Sequence, residues 1–374
     1  MKYKNYWNWQ QKDWPTFTYN LDDLEASEQE FLKQSGISFG VFKHLKQEEK
    51  EDLKITLMSN EAFDTSSIEG VILDRESIQS SIKRQFGLKS PSVSQKPSET
   101  GIAEMMIDLH SHFDKPLTHD TLYGWHKMLM NGRRDIKNLG SYRTHTEPMQ
   151  IISGYARNPK VHFEAPPSQN IPSEMEQFIR WFNETSPKGK RPLPPLIRSG
   201  ITHLYFVCIH PFEDGNGRIG RALVEKSLAQ SLNQPTLISL SHIINDKKKP
   251  YYAALETQNK NNQITEWLAY FSKTVLCAQK YTIEQVEFII KKTLFFDEFR
   301  GQMNERQHKV VTRLFHEGVN GFKGGLSAEN YMNITQAPSS TATRDLRDLV
   351  NKTILTRTGN LKYTRYYLSL GGER

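Results

Sequence analysis

His210-Pro211-Phe212-Glu213-Asp214-Gly215-Asn216-Gly217-Arg218-Ile219-Gly220-Arg221 is the stretch that decides how this chain is read. Just upstream, Ile197, Ile201, Leu204, Tyr205 and Cys208 fall at helical spacing, so a long helix beginning near Leu196 runs into it. His210-Pro211 ends that helix, because the residue before a proline avoids helical angles. Asp214-Gly215-Asn216-Gly217 reads as a tight turn, and a second helix starts near Gly217 with Ile219, Ala222, Leu223 and Leu228 on it. The turn therefore sits at a helix N-terminus, where free N–H groups and the positive end of the helix dipole favour a phosphate. The glycines let the backbone approach closely. Arg218 and Arg221 supply fixed positive charge that can fork onto phosphate oxygens. Asp214 is a hard oxygen ligand of the kind that Mg²⁺ bridges to nucleotide phosphates. His210 alone in the stretch has an ordinary proton affinity near neutral pH, which suits a general base. Each piece alone has a structural reading: a histidine at a helix end bonds the chain, glycines permit turns, arginines solvate surfaces. In this order they read as base, metal ligand and anion cradle.

Working outward, the flanks are mostly helical. Leu21 to Gln85 carries apolar residues at three- and four-residue spacing, among them Leu53, Leu57 and Met58, and then Ile78, Ile82 and Phe86. Gly87 to Thr100, with its prolines and serines, reads as a loop. Helices are expected at 101–112, 117–130 and 171–184. Between them Met149 to Tyr155 and Val161 to Phe163 flank Arg157-Asn158-Pro159, a short β-hairpin in a helical protein. The first twenty residues carry Trp7, Trp9, Trp14, Phe17 and Tyr19, more aromatics than a loose tail needs, so they form a docked arm. Past Glu298 the pattern becomes helix (304–317), short helix (327–332), Ser339-Ser340-Thr341 as an N-cap before a helix at 342–351, and two strands around Thr358-Gly359-Asn360. That order is the outline of a winged helix. The domains expected are 1–100, 101–298 and 299–374.

The composition is that of a globular protein, 37% hydrophobic and 24% charged. No apolar run approaches the roughly 18 residues that span a bilayer, and the N-terminus lacks a signal-peptide stretch, so a cytoplasmic protein without membrane contact is expected. Cys208 and Cys277 lie in apolar helical contexts and read as two buried thiols, with no zinc-like spacing around them. The net charge of +7 is compatible with an anionic ligand or with a solvated basic surface.

The twelve residues from His210 to Arg221 match, without gap or substitution, the Fic-family motif His-Pro-Phe-x-Asp-Gly-Asn-Gly-Arg-x-x-Arg. The resemblance to a Fic core covers roughly residues 100 to 290. It implies a mainly α fold with a small β-hairpin flap, and a protein adenylyltransferase that moves AMP from ATP to a hydroxyl of a target protein, itself among the candidate targets. On these positions it implies that His210 is the base, that Asp214 binds Mg²⁺, and that Gly215, Asn216, Gly217 and Arg218 hold phosphates. Arg221 would grip the γ-phosphate and Phe212 would anchor the core. Gln150, Ile151 and Ile152 would line the target-docking flap, and Tyr251 and Tyr252 resemble the residues that pack on adenine.

Thr65-Ser66-Ser67-Ile68-Glu69-Gly70 matches the family's inhibitory motif, and its position ahead of the core resembles class II members. Glu69 would pair with Arg221 and take the place the γ-phosphate needs. By itself the spacing of Thr65 and Glu69 is close to that of a helix capping box. At the other end, Arg344, Arg347, Lys352, Arg357, Lys362 and Arg365 would contact DNA phosphates through the winged-helix-like domain. Asp345 and Asp348 interrupt that run, so a protein contact or homodimer is the other reading. Three functions remain: an adenylyltransferase restrained by Glu69; a Fic-fold transferase with another nucleotide donor, or one that removes AMP; and an ATP-sensing DNA-binding regulator.

Overall fold

The structure is a computed structural model and describes residues 7–43, 45–90, 96–154, 159–236, 238–319 and 321–370. The chain is mainly helical. In order it forms α1 (Glu25–Lys43), α2 (Gln47–Ile68), α3 (Arg75–Gln85), α4 (Pro97–Ser111), α5 (His119–Leu129), β1 (Gln150–Ser153), β2 (Lys160–Glu164), α6 (Ile171–Glu184), α7 (Pro195–Ile209) and α8 (Asn216–Leu232). It continues with α9 (Leu240–Asp246), α10 (Lys248–Gln258), α11 (Thr265–Glu298), α12 (Glu305–His316), α13 (Ala328–Thr335), α14 (Ser339–Asn351), β3 (Leu355–Thr358) and β4 (Arg365–Leu368). No helix among the described residues is long and apolar enough to cross a membrane.

The chain divides into two compact units, one of Met1–Gly40 with Lys50–Thr282, the other of Val41–Glu49 with Ile283–Arg374. In the first unit α7 is the axis: nearly every residue from Leu196 to Ile209 is buried, so it is apolar all round rather than striped, as a central helix must be. Around it, α6 buries Ile171, Met175, Phe178 and Phe182 at helical spacing. The helix starts are set locally. Asp74 accepts the Ser77 N–H ahead of α3, and Thr118 accepts the Thr121 N–H ahead of α5. The aromatic arm is built into this unit. Trp7 is buried against Phe163, Trp9 Nε1 donates to the Glu164 carbonyl, and Trp14 meets Tyr205 edge-on at 5.1 Å.

The second unit packs α12, α13 and α14 around Val310, Leu314, Tyr331, Leu346 and Leu349, with β3 and β4 paired antiparallel behind them. Capping boxes start α12 at Asn304 and α13 at Ser327. The start expected for α14 needs correction: Ser339, Ser340 and Thr341 lie inside its first turn, and Pro338 precedes them without a side-chain cap. Pro338 fixes φ at the entry to the helix, and the first-turn N–H groups receive no side-chain cap from it. A second correction concerns the thiols. Cys208 is buried, but Cys277 is exposed, on the face of α11 that also carries Lys273 and Lys280.

Candidate active site

The stretch from His210 to Arg221 joins α7 to α8, as the proline and glycines require. His210 closes α7 in the left-handed region, at φ 52° and ψ 58°. Such backbone is uncommon for a residue with a side chain and persists only when its surroundings hold it. Arg143 does so. Its Nε donates to the His210 carbonyl at 2.9 Å, its backbone N–H to the Pro211 carbonyl at 2.9 Å, and its Nη2 to the Pro166 carbonyl at 2.6 Å. Phe212 is wholly buried and stacks on the His126 ring at 4.3 Å. Gly215 opens α8 at φ +84°, a value that favours glycine.

Asn216 has a different task from the one its motif position implies. Its Oδ1 accepts the Phe212 N–H at 3.0 Å and its Nδ2 donates to the Phe212 carbonyl at 2.8 Å. Both polar ends are spent on pinning the turn, and the side chain is buried. Its contribution to an anion is left to the backbone at the start of α8.

Glu69 lies directly against that start. It follows the last residue of α2, and its Oε1 accepts from Arg221 Nη2 at 2.8 Å. A Cβ placed on Gly217 would overlap this carboxylate, and would sit 3.1 Å from Arg221 Nη1. The carboxylate thus rests on the first turn of α8. The end of α2 is tied down further. Arg221 donates from Nε to Thr65 Oγ1 at 2.7 Å and from Nη2 to the Thr65 carbonyl at 2.8 Å. Lys248 Nζ donates to the Ser67 carbonyl at 2.6 Å, and Tyr252 Oη to the Ile68 carbonyl at 3.5 Å. Thr65 stands in the last turns of α2, so the capping-box reading of Thr65 and Glu69 does not hold. Among the described residues, two buried guanidinium donors, Arg218 Nε and Arg221 Nη1, have no hydrogen-bond partner. Buried donors are normally satisfied, so these mark a place for an acceptor.

Asp214 accepts from Arg133 Nη1 at 2.8 Å and from Arg218 Nη2 at 3.2 Å. Burial works to raise its pKa, but the Arg218 charge and the surrounding bonds win and hold the carboxyl below its usual range. His210 has its pKa pushed down to about 4, first by burial and then, among opposing influences, by the Arg143 charge. Its Nδ1 lies 3.3 Å from the Val207 carbonyl, which can only accept, so Nδ1 carries the hydrogen and Nε2 keeps the lone pair. His210 is therefore neutral at pH 7 and presents a basic nitrogen.

The hairpin expected at 149–163 forms as β1 and β2, with Gln150 opposite Glu164, Ile151 opposite Phe163 and a bulge between Ile151 and Ile152. Gln150, Ile151 and Ile152 face solvent, Ile152 at 57%. Tyr155 to Asn158, between the two strands in sequence, lie outside the described residues. Of the tyrosine pair, Tyr252 is 44% exposed, while Tyr251 is 2% exposed and bonded through Oη to His203 Nε2 at 2.6 Å. Tyr251 is a core residue here and has no face free for a base.

Reading the sequence missed Arg133, Arg143, His126 and Lys248. Arg133-Arg134-Asp135 looks like a solvated surface pair, and nothing local marks Arg143 as buried.

A family profile described as "Fic/DOC family" matches residues 116–228, which include this turn. The protein carries a Fic domain. A second profile, "Domain of unknown function (DUF4172)", matches residues 7–88, and so takes in the aromatic arm and Glu69. Over 112 residues the Fic-domain protein is 26% identical to the protein adenylyltransferase fic-1 of Caenorhabditis elegans, a match over 29% of this chain and 20% of that one. Over 85 residues it is 31% identical to a probable protein adenylyltransferase of Aquifex aeolicus, covering 22% of this chain and 25% of the relative. The chain thus spans no more than a quarter of the length of these relatives. Among solved structures, a Fic family protein from Desulfovibrio desulfuricans G20 superposes with a TM-score of 0.52 at 19% identity, over 93% of this chain and 97% of that one. Fic-1 from C. elegans gives a TM-score of 0.50 at 20% identity, over 70% and 74%. At such identities the likeness is one of fold.

Proposed function

We propose that the protein is a protein adenylyltransferase that transfers AMP from ATP to a hydroxyl of a target protein, and that Glu69 restrains it. The observation that carries the reading is the pair of unpartnered buried donors, Arg218 Nε and Arg221 Nη1, beside the open N-terminus of α8 and a neutral His210. The triphosphate would lie over the Gly215–Gly217 backbone, with Arg218 and Arg221 on its oxygens. Among the described residues no three His, Cys, Asp or Glu side chains gather to hold a metal. A lone carboxylate such as Asp214 fits Mg²⁺ only when phosphate oxygens complete the shell, as a nucleotide supplies. Mg²⁺ held there would neutralise charge on the phosphates.

The target hydroxyl loses its proton to His210 Nε2 as its oxygen attacks the α-phosphorus. The bond from that phosphorus to the bridging oxygen breaks, and pyrophosphate leaves with the electron pair. The protein's part is alignment and charge stabilisation. The exposed β1, with Gln150, Ile151 and Ile152, is suited to pair with an extended target segment. Tyr252, being exposed, is the one of the two tyrosines that can meet the adenine.

Glu69 occupies the ground over Gly217 that a terminal phosphate would need and neutralises Arg221, its ligand. The arrangement of Glu69 ahead of the core supports a class II assignment. Domains at 1–100, 101–298 and 299–374, a C-terminal winged helix, a homodimer and a cytoplasmic location belong to the same proposal. On α14, Arg344 and Arg347 are exposed, whereas Asp345 turns inward to Tyr331 Oη and Arg306. Asp348, its side chain 42% exposed, pairs with Lys352 at 2.6 Å, so part of the acidic interruption stays at the surface and Arg344 and Arg347 are the residues of this helix left for DNA phosphates.

The test of the reaction is His210→Ala made in the Glu69→Gly background, with ATP and Mg²⁺, followed by intact-mass spectrometry. AMP incorporation should vanish while ATP affinity stays within about threefold, because the base contributes to the transition state rather than to ground-state binding. Retained transfer would remove His210 from the mechanism.

A further inference from the structure

Ser153 ends β1, and AMP transfer as set out above leaves it idle. It is exposed and lies opposite Lys160 in the hairpin. Side chains alternate along a strand, so Lys160 and His162 leave the same face of β2, and His162 is the diagonal neighbour of Ser153 on that face. Ser153 Oγ lies 2.6 Å from His162 Nε2. On the other side of the ring, His162 Nδ1 lies 2.8 Å from Glu256 Oε2 of α10. Glu256 is held in turn, its Oε1 accepting from Lys160 Nζ at 2.8 Å. The bonds from Lys160 and then from His162 hold the Glu256 carboxyl below its usual range, so it is ionised and can only accept. Nδ1 therefore carries the hydrogen. In the neutral ring Nε2 keeps the lone pair, and the Ser153 hydroxyl donates to it.

A hydroxyl, an imidazole within hydrogen-bond reach and a carboxylate that orients the imidazole together form an activated nucleophile. Fastening the hairpin to α10 does not require this chain. The Lys160–Glu256 pair does that, and Asn259 Nδ2 donates to the His162 carbonyl at 3.1 Å. Neither contact uses the imidazole or Ser153. The group is also open to solvent. The His162 and Glu256 side chains are 24% and 35% exposed, and Gly154, at φ +94°, adds no side chain beside the hydroxyl.

We propose that Ser153 is a nucleophile that takes the acyl group of an activated ester. Its oxygen attacks the carbonyl carbon while His162 Nε2 accepts the hydroxyl proton. The bond from that carbon to the ester oxygen then breaks, and His162 returns the proton to the leaving alcohol. The product is an ester on Ser153. Between the two steps Glu256 stabilises the imidazolium. An uncharged acyl donor suits the group better than a phosphorylated one, because the cation here, Lys160, is already bound to Glu256.

The probe is 4-nitrophenyl acetate, given to the full chain without ATP, so that the outcome is independent of AMP transfer. Released nitrophenolate gives the rate, and fragment-mass spectrometry places the acetyl group. The expected result is one acetyl group on Ser153, gained about a hundredfold faster than on other exposed serines of the chain, the usual contribution of a positioned general base. His162→Gln should remove that advantage. Glu256→Gln, which keeps the base but not its orientation, should slow the reaction by at least about tenfold. With rising pH the parent rate should level off once the imidazole is neutral. That plateau should persist, lower, in Glu256→Gln and vanish in His162→Gln, a split that a purely structural fastening would not produce. Acetylation of Ser153 no faster than that of other exposed serines, or equally fast in His162→Gln and the parent, overturns the proposal.

Discussion

Replacing Glu69 by glycine would separate the proposed restraint from the proposed catalysis most directly. The carboxylate meets Arg221 at 2.8 Å, with side-chain exposures of 28% for Glu69 and 1% for Arg221. This is no surface pair screened by solvent. A hydrogen bond to a charged group contributes about 1.5–3 kcal/mol. That is what a terminal phosphate forgoes while Glu69 holds the place, and each 1.4 kcal/mol or so is tenfold. Productive ATP engagement should therefore rise by roughly ten- to a hundredfold at sub-saturating ATP. A second consequence follows from burial. Without Glu69, Arg221 keeps Thr65 Oγ1 and the Thr65 carbonyl but loses its counter-charge. The nucleotide-free variant should be less stable than the parent by about 1–3 kcal/mol, and ATP should restore more stability to it than to the parent. The assays are initial rates of AMP incorporation by intact-mass spectrometry, and thermal unfolding with and without ATP and Mg²⁺. A well-folded variant whose rate stays within about twofold of the parent would refute the reasoning, because the carboxylate would then not be competing with phosphate.

The other expectations concern protons and the turn. The His210 pKa of about 4 includes a raising contribution from the Glu69 charge, so in the Glu69→Gly background AMP transfer should hold its rate down to about pH 4; a limb near 6.5 would mean an imidazole more exposed than this geometry allows. His203 is buried and has its pKa lowered to about 3, by burial and then by the Arg221 charge. Its depressed value favours the folded state above the ordinary histidine pKa, and that stability is lost as pH falls from about 6.5 toward 3. Urea unfolding at about pH 7.5 and 5.5 should differ by about 1 kcal/mol more for the parent than for His203→Gln, and equal differences would count against it. Asn216→Ala should cost about 2–4 kcal/mol in chemical denaturation, since it strands the Phe212 N–H and carbonyl together; a loss under about 0.5 kcal/mol would mean the turn holds without it.

The parts of the fold legible in the sequence are those written in local rules. The Ser327 and Asn304 starts, the apolar stripe of α6 and the proline end of α7 follow from spacing and caps, and the structure has them where those rules put them. Ser339 to Thr341 misled because hydroxyls near a helix start can lie inside its first turn as readily as cap it. Cys277 misled because a long helix that is apolar on average still turns one face to solvent. The site divides in the same way. His210, Asp214 and Arg221 stand in one stretch and were found together, whereas Arg133 and Arg143 reach it from an irregular segment whose path depends on tertiary packing.

Asn216 and Tyr251 share a further lesson about motifs. A motif records which side chains a site needs, without separating those that touch a ligand from those that hold the backbone for it. Asn216 spends both polar ends on Phe212, and Tyr251 spends its hydroxyl on His203 within the core. Losing either would disturb the site through its shape. Glu69 and Arg221 are the contrary case: each is held by contacts that a nucleotide would have to exchange. Arg221 keeps its Thr65 bonds through Nε and Nη2 and leaves Nη1 unpartnered. Release of the carboxylate therefore needs no rebuilding of α8, only a shift of Glu69 off Gly217, with the Lys248 and Tyr252 bonds to the end of α2 setting how readily that shift occurs.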